Sequence, residues 1–201
     1  MLFRSGGILY LALALNVLTG FLAFATSIVY LVAYTPLKQV SPICTLVGAF
    51  PGAMPGVLGW TAASGRLDWD ALVLFGIVFL WQFPHFFSIA WLYREDYAAG
   101  GVRMLPVVET DGRSTGIRIL LYSLVLIPVS LLPTFFNMAG WIYLAGAFCL
   151  SLALFYFGLR LAMFRMPLTS PYSKMRARQL LQATVFYLPL LFALMMTNSG
   201  H

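Results

Sequence analysis

Three short stretches carry the residues that could do chemistry in this chain, each set against otherwise apolar sequence. Tyr34-Thr35-Pro36-Leu37-Lys38-Gln39 ends a hydrophobic run on a compact ammonium charge, a group suited to an anionic head group such as phosphate. Trp81-Gln82-Phe83-Pro84-His85-Phe86 places a histidine inside an apolar run, where ionisable groups are expensive and usually have a use. His85 there is suited to ligate a metal, move a proton or hydrogen-bond a ligand, with a satisfied core histidine as the structural alternative. The loop from Arg94 to Arg113 holds Glu95, Asp96, Glu109 and Asp111, four of the chain's six acidic residues, among Arg94, Arg103 and Arg113. Mg2+ takes one or two carboxylates plus substrate phosphate oxygens, and arginine holds phosphate through paired hydrogen bonds, so the mixture suits a metal-phosphate ligand. Ordinary solvated charge is the alternative for this loop, and a snorkelling lysine is the alternative for Lys38. Gly100 and Gly101 let the backbone turn closely beside a ligand.

The elements that position these stretches must be membrane helices. Of 201 residues, 61% are hydrophobic and 9% charged, too little polar surface for a soluble domain. The apolar residues fall into blocks long enough to cross a bilayer core, which needs about 20 helical residues. They run from Ile8 to Ala33, Ile43 to Ala63, Ala71 to Tyr93, Gly116 to Phe136, Gly140 to Phe164 and Leu180 to Thr197. None alternates apolar and polar residues as barrel strands do. The expected fold is all-α, a polytopic membrane helical bundle of about six transmembrane helices in a single domain, residues 1–201. Block one exceeds the length of one span, and Asn16, Thr19 and Gly20 are placed to break it; its length also disfavours a cleaved signal peptide. Helical period stacks Trp81, His85 and Ser88 on one face, Pro84 can kink their helix, and Pro36 is expected to end the first span. Gly48, Gly52, Gly56 and Gly59 mark a closely packing face. Cys44 and Cys149 lie within spans at no metal-ligand spacing and read as small buried residues.

Charge supplies an orientation. Lys38, then Arg94, Arg103, Arg113 and Arg118, then Arg160, Arg165, Lys174, Arg176 and Arg178 flank alternate loops, which therefore share one side. The opposite loops carry Arg66, offset by Asp68 and Asp70, and the uncharged turn from Thr134 to Ala139. By the positive-inside rule the basic loops face the cytoplasm and the C-terminus lies outside. The net charge of +6 reflects this topology and an anionic ligand rather than nucleic acid, because no basic run sits on a soluble module.

Taken together, Tyr34 to Lys38 (YTPLK), Val47 to Trp60 (VGAFPGAMPGVLGW), Trp81 to Phe86 (WQFPHF) and Arg94 to Val108 (REDYAAGGVRMLPVV) resemble the protoheme IX farnesyltransferases, or heme O synthases. These belong to the intramembrane UbiA-type prenyltransferase superfamily, and the resemblance runs from about Leu9 to Leu194. It implies transfer of a farnesyl group from farnesyl diphosphate to a vinyl group of heme b, with addition of water, giving heme O and diphosphate. Mg2+ is the implied cofactor, and heme b is a substrate rather than a resident group. The implied partners are these two ligands, the lipid bilayer, and heme A synthase or the terminal-oxidase assembly; the implied location is a bacterial inner membrane. Position by position, Asp96 matches the family's second acidic motif and would bind diphosphate-held Mg2+. Lys38 and Arg94 would touch diphosphate, with Arg103 nearby. His85 matches the histidine of the WQxPHF segment and would meet heme as iron ligand or propionate partner, while Tyr34, Trp81, Gln82 and Tyr97 would shape the cavity.

One departure bears on activity. The family also has an earlier acidic motif of the type N-x3-D-x2-D-x3-D, whereas no acidic residue precedes Asp68 here. The spans correspond to the C-terminal two-thirds of the family's nine-helix fold, so Met1 is expected to be an internal or artificial beginning and the chain to be poorly active alone. Two other readings stay open at the sequence level: a prenyltransferase acting on a different aromatic acceptor, and a noncatalytic membrane transporter or partner protein.

Overall fold

The computed structural model describes residues 2–109, 111–163 and 170–199, which fold as a bundle of α-helices. Phe164, where the fifth block was expected to end, and Arg165 lie outside the described residues, as does Met1. Chain order gives α1 (Leu2–Ala14), α2 (Val17–Ile28), a π-helical segment (Val29–Tyr34), α3 (Thr35–Leu37), α4 (Cys44–Ser64) and α5 (Trp69–Leu92). It continues with α6 (Arg94–Ala99), α7 (Leu105–Val108), α8 (Arg113–Phe135), α9 (Trp141–Ala162) and α10 (Pro171–Thr197). Among the described residues five helical stretches are long and apolar enough to cross a membrane: Val17–Leu37, Trp69–Leu92, Arg113–Phe135, Trp141–Ala162 and Pro171–Thr197. The remaining expected span is α4, long enough at 21 residues but diluted by glycines and two prolines, Pro51 and Pro55.

The first block divides where its polar residues fall. Asn16 caps α2 by accepting from the Thr19 backbone N–H at 2.8 Å, and its amide donates to the Thr61 carbonyl of α4 at 2.8 Å. Gly20 lets α1 and α2 cross closely, since a Cβ there would stand 2.5 Å from that of Ala12. Pro36 does not end the helix, contrary to expectation. The preceding residues widen into the π-helical segment, where both the N–H and the hydroxyl of Thr35 reach the Tyr30 carbonyl. Pro36 then falls in the first turn of α3, the helical position that tolerates a missing N–H. The last span begins at Pro171 rather than Leu180, because Ser170 caps it and its basic first turns remain helical at the rim of the bundle.

Helix α5 is the central element and packs against α4, α8 and α10. Its Ile77, Phe83, Phe87 and Trp91 join Ile119 and Leu126 of α8, Tyr143 and Leu154 of α9, and Leu180 and Tyr187 of α10 in one buried core. The ring of Phe83 stacks on Tyr122 with centroids 3.7 Å apart. The Tyr187 hydroxyl bonds the hydroxyls of Ser130 and Ser151, and Tyr143 donates to the Ser130 carbonyl at 2.8 Å, so these four buried polar side chains link α8, α9 and α10. Leu13, Val17, Trp141 and Ile142 point outward, as a bundle solvated by lipid requires. Cys149 is exposed on that outer surface rather than buried as the sequence was read, while Cys44 is buried as expected.

The loops expected to share one side do meet at one end. The Arg103 backbone N–H donates to the Lys38 carbonyl at 3.0 Å, joining the YTPLK segment to the loop before α7. Lys174 of α10 pairs with Glu95 of α6 at 3.5 Å, and Arg176 donates to the Arg160 carbonyl at the end of α9. At the other end Asn198 accepts from the Tyr143 backbone N–H through its side chain, tying the end of α10 to the start of α9.

Candidate substrate site

A partly open cavity of about 590 Å³ lies where the π-helical segment, α4, α5 and α6 converge. Its walls include Tyr30, Tyr34 and Lys38 from the first segment, Thr45, Gly48 and Gly52 from α4, Gln82 and Phe86 from α5, and Tyr97 from α6. Two glycines set its shape by letting larger side chains press on α4. A Cβ at Gly48 would lie 2.6 Å from the Tyr34 ring, and one at Gly52 would lie 2.1 Å from Gln82 Oε1. The glycine face expected on α4 is therefore real at these positions; Gly56 makes ordinary contact with Leu74, and Gly59 has nothing within 4 Å.

Each polar side chain is held by its element. The Tyr34 ring rests on Gly48 and lies against Tyr30, one helical turn earlier, with centroids 5.2 Å apart. Gln82 donates its amide to the Ala49 carbonyl at 3.1 Å and to the Val78 carbonyl at 3.2 Å, leaving Oε1 as its uncommitted face. Burial pushes the Tyr97 phenol above its ordinary range, so it is a neutral hydrogen-bond donor at neutral pH. Among the described lining residues Lys38 supplies the charge, half-buried beside apolar neighbours that strengthen its field.

The carboxylates of the adjoining loop separate into different roles. Glu109 accepts from Thr115 N–H at 3.0 Å, from the Thr115 hydroxyl at 2.6 Å and from Ser114 N–H, capping the start of α8. Asp111 accepts from Arg113 N–H at 3.1 Å, and Glu95 pairs with Lys174. Asp96 is exposed, and its carboxylate makes no hydrogen bond or ion pair to the described residues. Arg94 donates to the Glu109 carbonyl at 2.7 Å and the Val107 carbonyl at 3.4 Å, so part of its fork already fixes the loop. Gly101 takes the left-handed conformation at φ 67°, where glycine is needed, whereas Gly100 does not. Among the described residues no three of His, Cys, Asp and Glu come together as a metal cage.

Thus Tyr34, Lys38, Gln82 and Tyr97 meet in one cavity, and Arg94, Asp96 and Arg103 stand in the loop beside it. Trp81 and His85 turn another way. Their rings stack with centroids 4.6 Å apart against α10, where Trp81 Nε1 donates to the Thr184 carbonyl at 2.8 Å and His85 Nδ1 lies 2.9 Å from the Thr184 hydroxyl. The WQFPHF segment therefore serves two faces of α5, one through Gln82 and Phe86 and one through Trp81 and His85. Tyr30 and Thr184 escape the sequence reading. Tyr30 carried a usable signal, its helical spacing to Tyr34, while Thr184 lies 99 positions from His85 in an unmarked apolar span.

Comparison with known proteins gives the same placement. Residues 5–174 match the UbiA prenyltransferase family. A protoheme IX farnesyltransferase of Koribacter versatilis is 59% identical over 96% of this chain and 62% of its own length. The one of Solibacter usitatus is 48% identical over 96% of the chain and 63% of its own, and that of Gloeobacter violaceus 40% over 94% and 60%. This chain thus spans a little over three-fifths of the length of these curated relatives, and no solved structure matches it significantly. With the YTPLK, WQFPHF and REDYAAGG segments assembled in a helical membrane bundle, the chain belongs to the UbiA prenyltransferase family.

Proposed function

We propose that this chain works in the transfer of a farnesyl group from farnesyl diphosphate to a vinyl group of heme b, giving heme O and diphosphate. The observation that carries the reading is the cavity in which Lys38, Tyr34, Tyr97 and Gln82 converge, next to the carboxylate of Asp96, which is unpaired among the described residues. Relatives covering nearly all of the chain bear the name of this reaction.

In this reading the diphosphate lies at the mouth of the cavity. Lys38 holds it as a point charge, Tyr97 donates a hydrogen bond, and Arg103 and the uncommitted donors of Arg94 approach from the loop. Asp96 fits a hard ion shared with the ligand, since its carboxylate is unspent and Mg2+ commonly takes one or two carboxylates with phosphate oxygens. When bound, Mg2+ would neutralise charge on the departing diphosphate. The C1–O bond of the prenyl group breaks as the vinyl carbon bonds to C1 and diphosphate departs, and water then adds to the cation left on the porphyrin side chain and loses a proton to give the hydroxyl. Tyr30, Tyr34 and Phe86 line the approach with aromatic faces that keep stray water from C1. His85 meets heme from the neighbouring face of α5, with Trp81 shaping that face. The setting is a bacterial inner membrane with the basic loops in the cytoplasm, and heme A synthase or the terminal-oxidase assembly takes the product.

Farnesyl diphosphate binding to the purified chain in nanodiscs tests the site. Mg2+-dependent binding is expected, weakened about tenfold or more in both Lys38→Ala and Asp96→Asn, in keeping with the loss of a charge-assisted contact of about 1.5–3 kcal/mol. Binding unchanged in both variants would refute it.

A further inference from the structure

The face of α5 turned toward α10 carries a device that the substrate cavity does not use. Thr184 is completely buried, and two partners lie within hydrogen-bond distance of its hydroxyl oxygen. One is the Leu181 carbonyl at 2.6 Å; the other is His85 Nδ1 at 2.9 Å. A hydroxyl has one proton, and a carbonyl oxygen can only accept. Both contacts are hydrogen bonds at once only if Thr184 donates to Leu181 and His85 Nδ1–H donates to Thr184. The proton of the neutral imidazole then sits on Nδ1, and Nε2 keeps its lone pair. Among the described residues Nε2 has no hydrogen-bond partner, and His85 is only half-buried.

Trp81 fixes the ring plane. It stands one helical turn before His85, its ring inclined 18° to the imidazole, and its Nε1–H bonds the backbone carbonyl of the same Thr184. One residue of α10 thereby anchors both aromatic side chains, through its carbonyl for Trp81 and its hydroxyl for His85. A histidine that ligates a metal almost always donates its other ring N–H to an oxygen, which fixes the tautomer and raises ligand basicity.

We propose that Thr184 is a positioning residue that holds His85 protonated at Nδ1, so that Nε2 is presented as a neutral donor nitrogen to the iron of heme b. The occupant rests on the heme reading above; the tautomer does not.

The experiment separates the two. The chain has two histidines, His85 and His201, so nitrogen-15 spectra of histidine-labelled protein in the His201→Ala background report His85 alone. A protonated Nδ1 and unprotonated Nε2 are expected, with the proton redistributed toward Nε2 in Thr184→Val and the original pattern restored in Thr184→Ser. In parallel, ferric heme b is titrated and its Soret and electron-paramagnetic spectra recorded. Histidine-ligated heme is expected, with affinity lowered roughly 10–100-fold in Thr184→Val and retained in Thr184→Ser. His85→Ala should abolish the ligation signature. An Nε2-protonated imidazole in the parent protein, or a tautomer and affinity indifferent to Thr184→Val, overturns the role of Thr184. The expected tautomer together with heme spectra identical in His85→Ala leaves that role standing and overturns heme as the occupant. Thr184→Ser guards against misfolding, because it keeps the hydroxyl while changing the packing as Val does not.

Discussion

At the scale of single residues, similar side chains in one loop have been given unlike tasks. Glu109 and Asp96 are both carboxylates, but three donors at the start of α8 occupy the first, and no described residue occupies the second. Opposite consequences are expected on neutralising each. Glu109→Ala should lower stability by about 0.5–2 kcal/mol, the usual cost of a lost helix cap, as seen in denaturant unfolding. Asp96→Asn should leave stability within about 0.5 kcal/mol, as exposed substitutions do, while impairing Mg2+-dependent farnesyl diphosphate binding. Equal stability losses in the two would show that Asp96 is a structural residue after all. Lys38 follows the same logic: its backbone carbonyl is tied to Arg103, which steadies the segment, while the residue itself lines the cavity.

At the scale of elements, what the sequence discloses and what it hides have separate physical causes. Span positions were legible because burial in lipid demands continuous apolar length, and the break at Asn16 was legible because a capping side chain has a local signature. The continuation through Pro36 was not, since it depends on a π-helical segment whose widened turn leaves no mark in hydrophobic period. Tyr34, Lys38, Gln82 and Tyr97 stood out in their motifs and line one cavity, yet the division of WQFPHF between two faces came only with α10 in place. Which loop acids are capping groups likewise depends on where α8 begins. The packing of α4 on the π-helical segment yields its own expectation. Gly48→Ala would drive a methyl group into the Tyr34 ring, which forms part of the cavity wall. A destabilisation of about 1–3 kcal/mol is expected, together with weaker farnesyl diphosphate binding. Unaltered thermal unfolding and binding would mean that the ring moves aside freely.

At the scale of the whole molecule, the arrangement separates a charged end from an apolar body. The segments of Lys38, Arg103, Glu95 and Lys174 are tied together at one end, while the Asn198 contacts lie at the other. An anionic head group and a hydrophobic chain need such a division, the first at a basic rim and the second among helices. The cavity beside the rim is bounded by α5, whose neighbouring face presents His85, so one helix bears contacts proposed for both substrates. The most direct measurement is product analysis by mass spectrometry after incubating the purified chain in nanodiscs with heme b, farnesyl diphosphate and Mg2+. Heme O above the protein-free control, lost in Asp96→Asn, is expected even if turnover is slow. Heme O formation unaffected by that substitution, or farnesyl transfer to another aromatic acceptor with none to heme b, would contradict it.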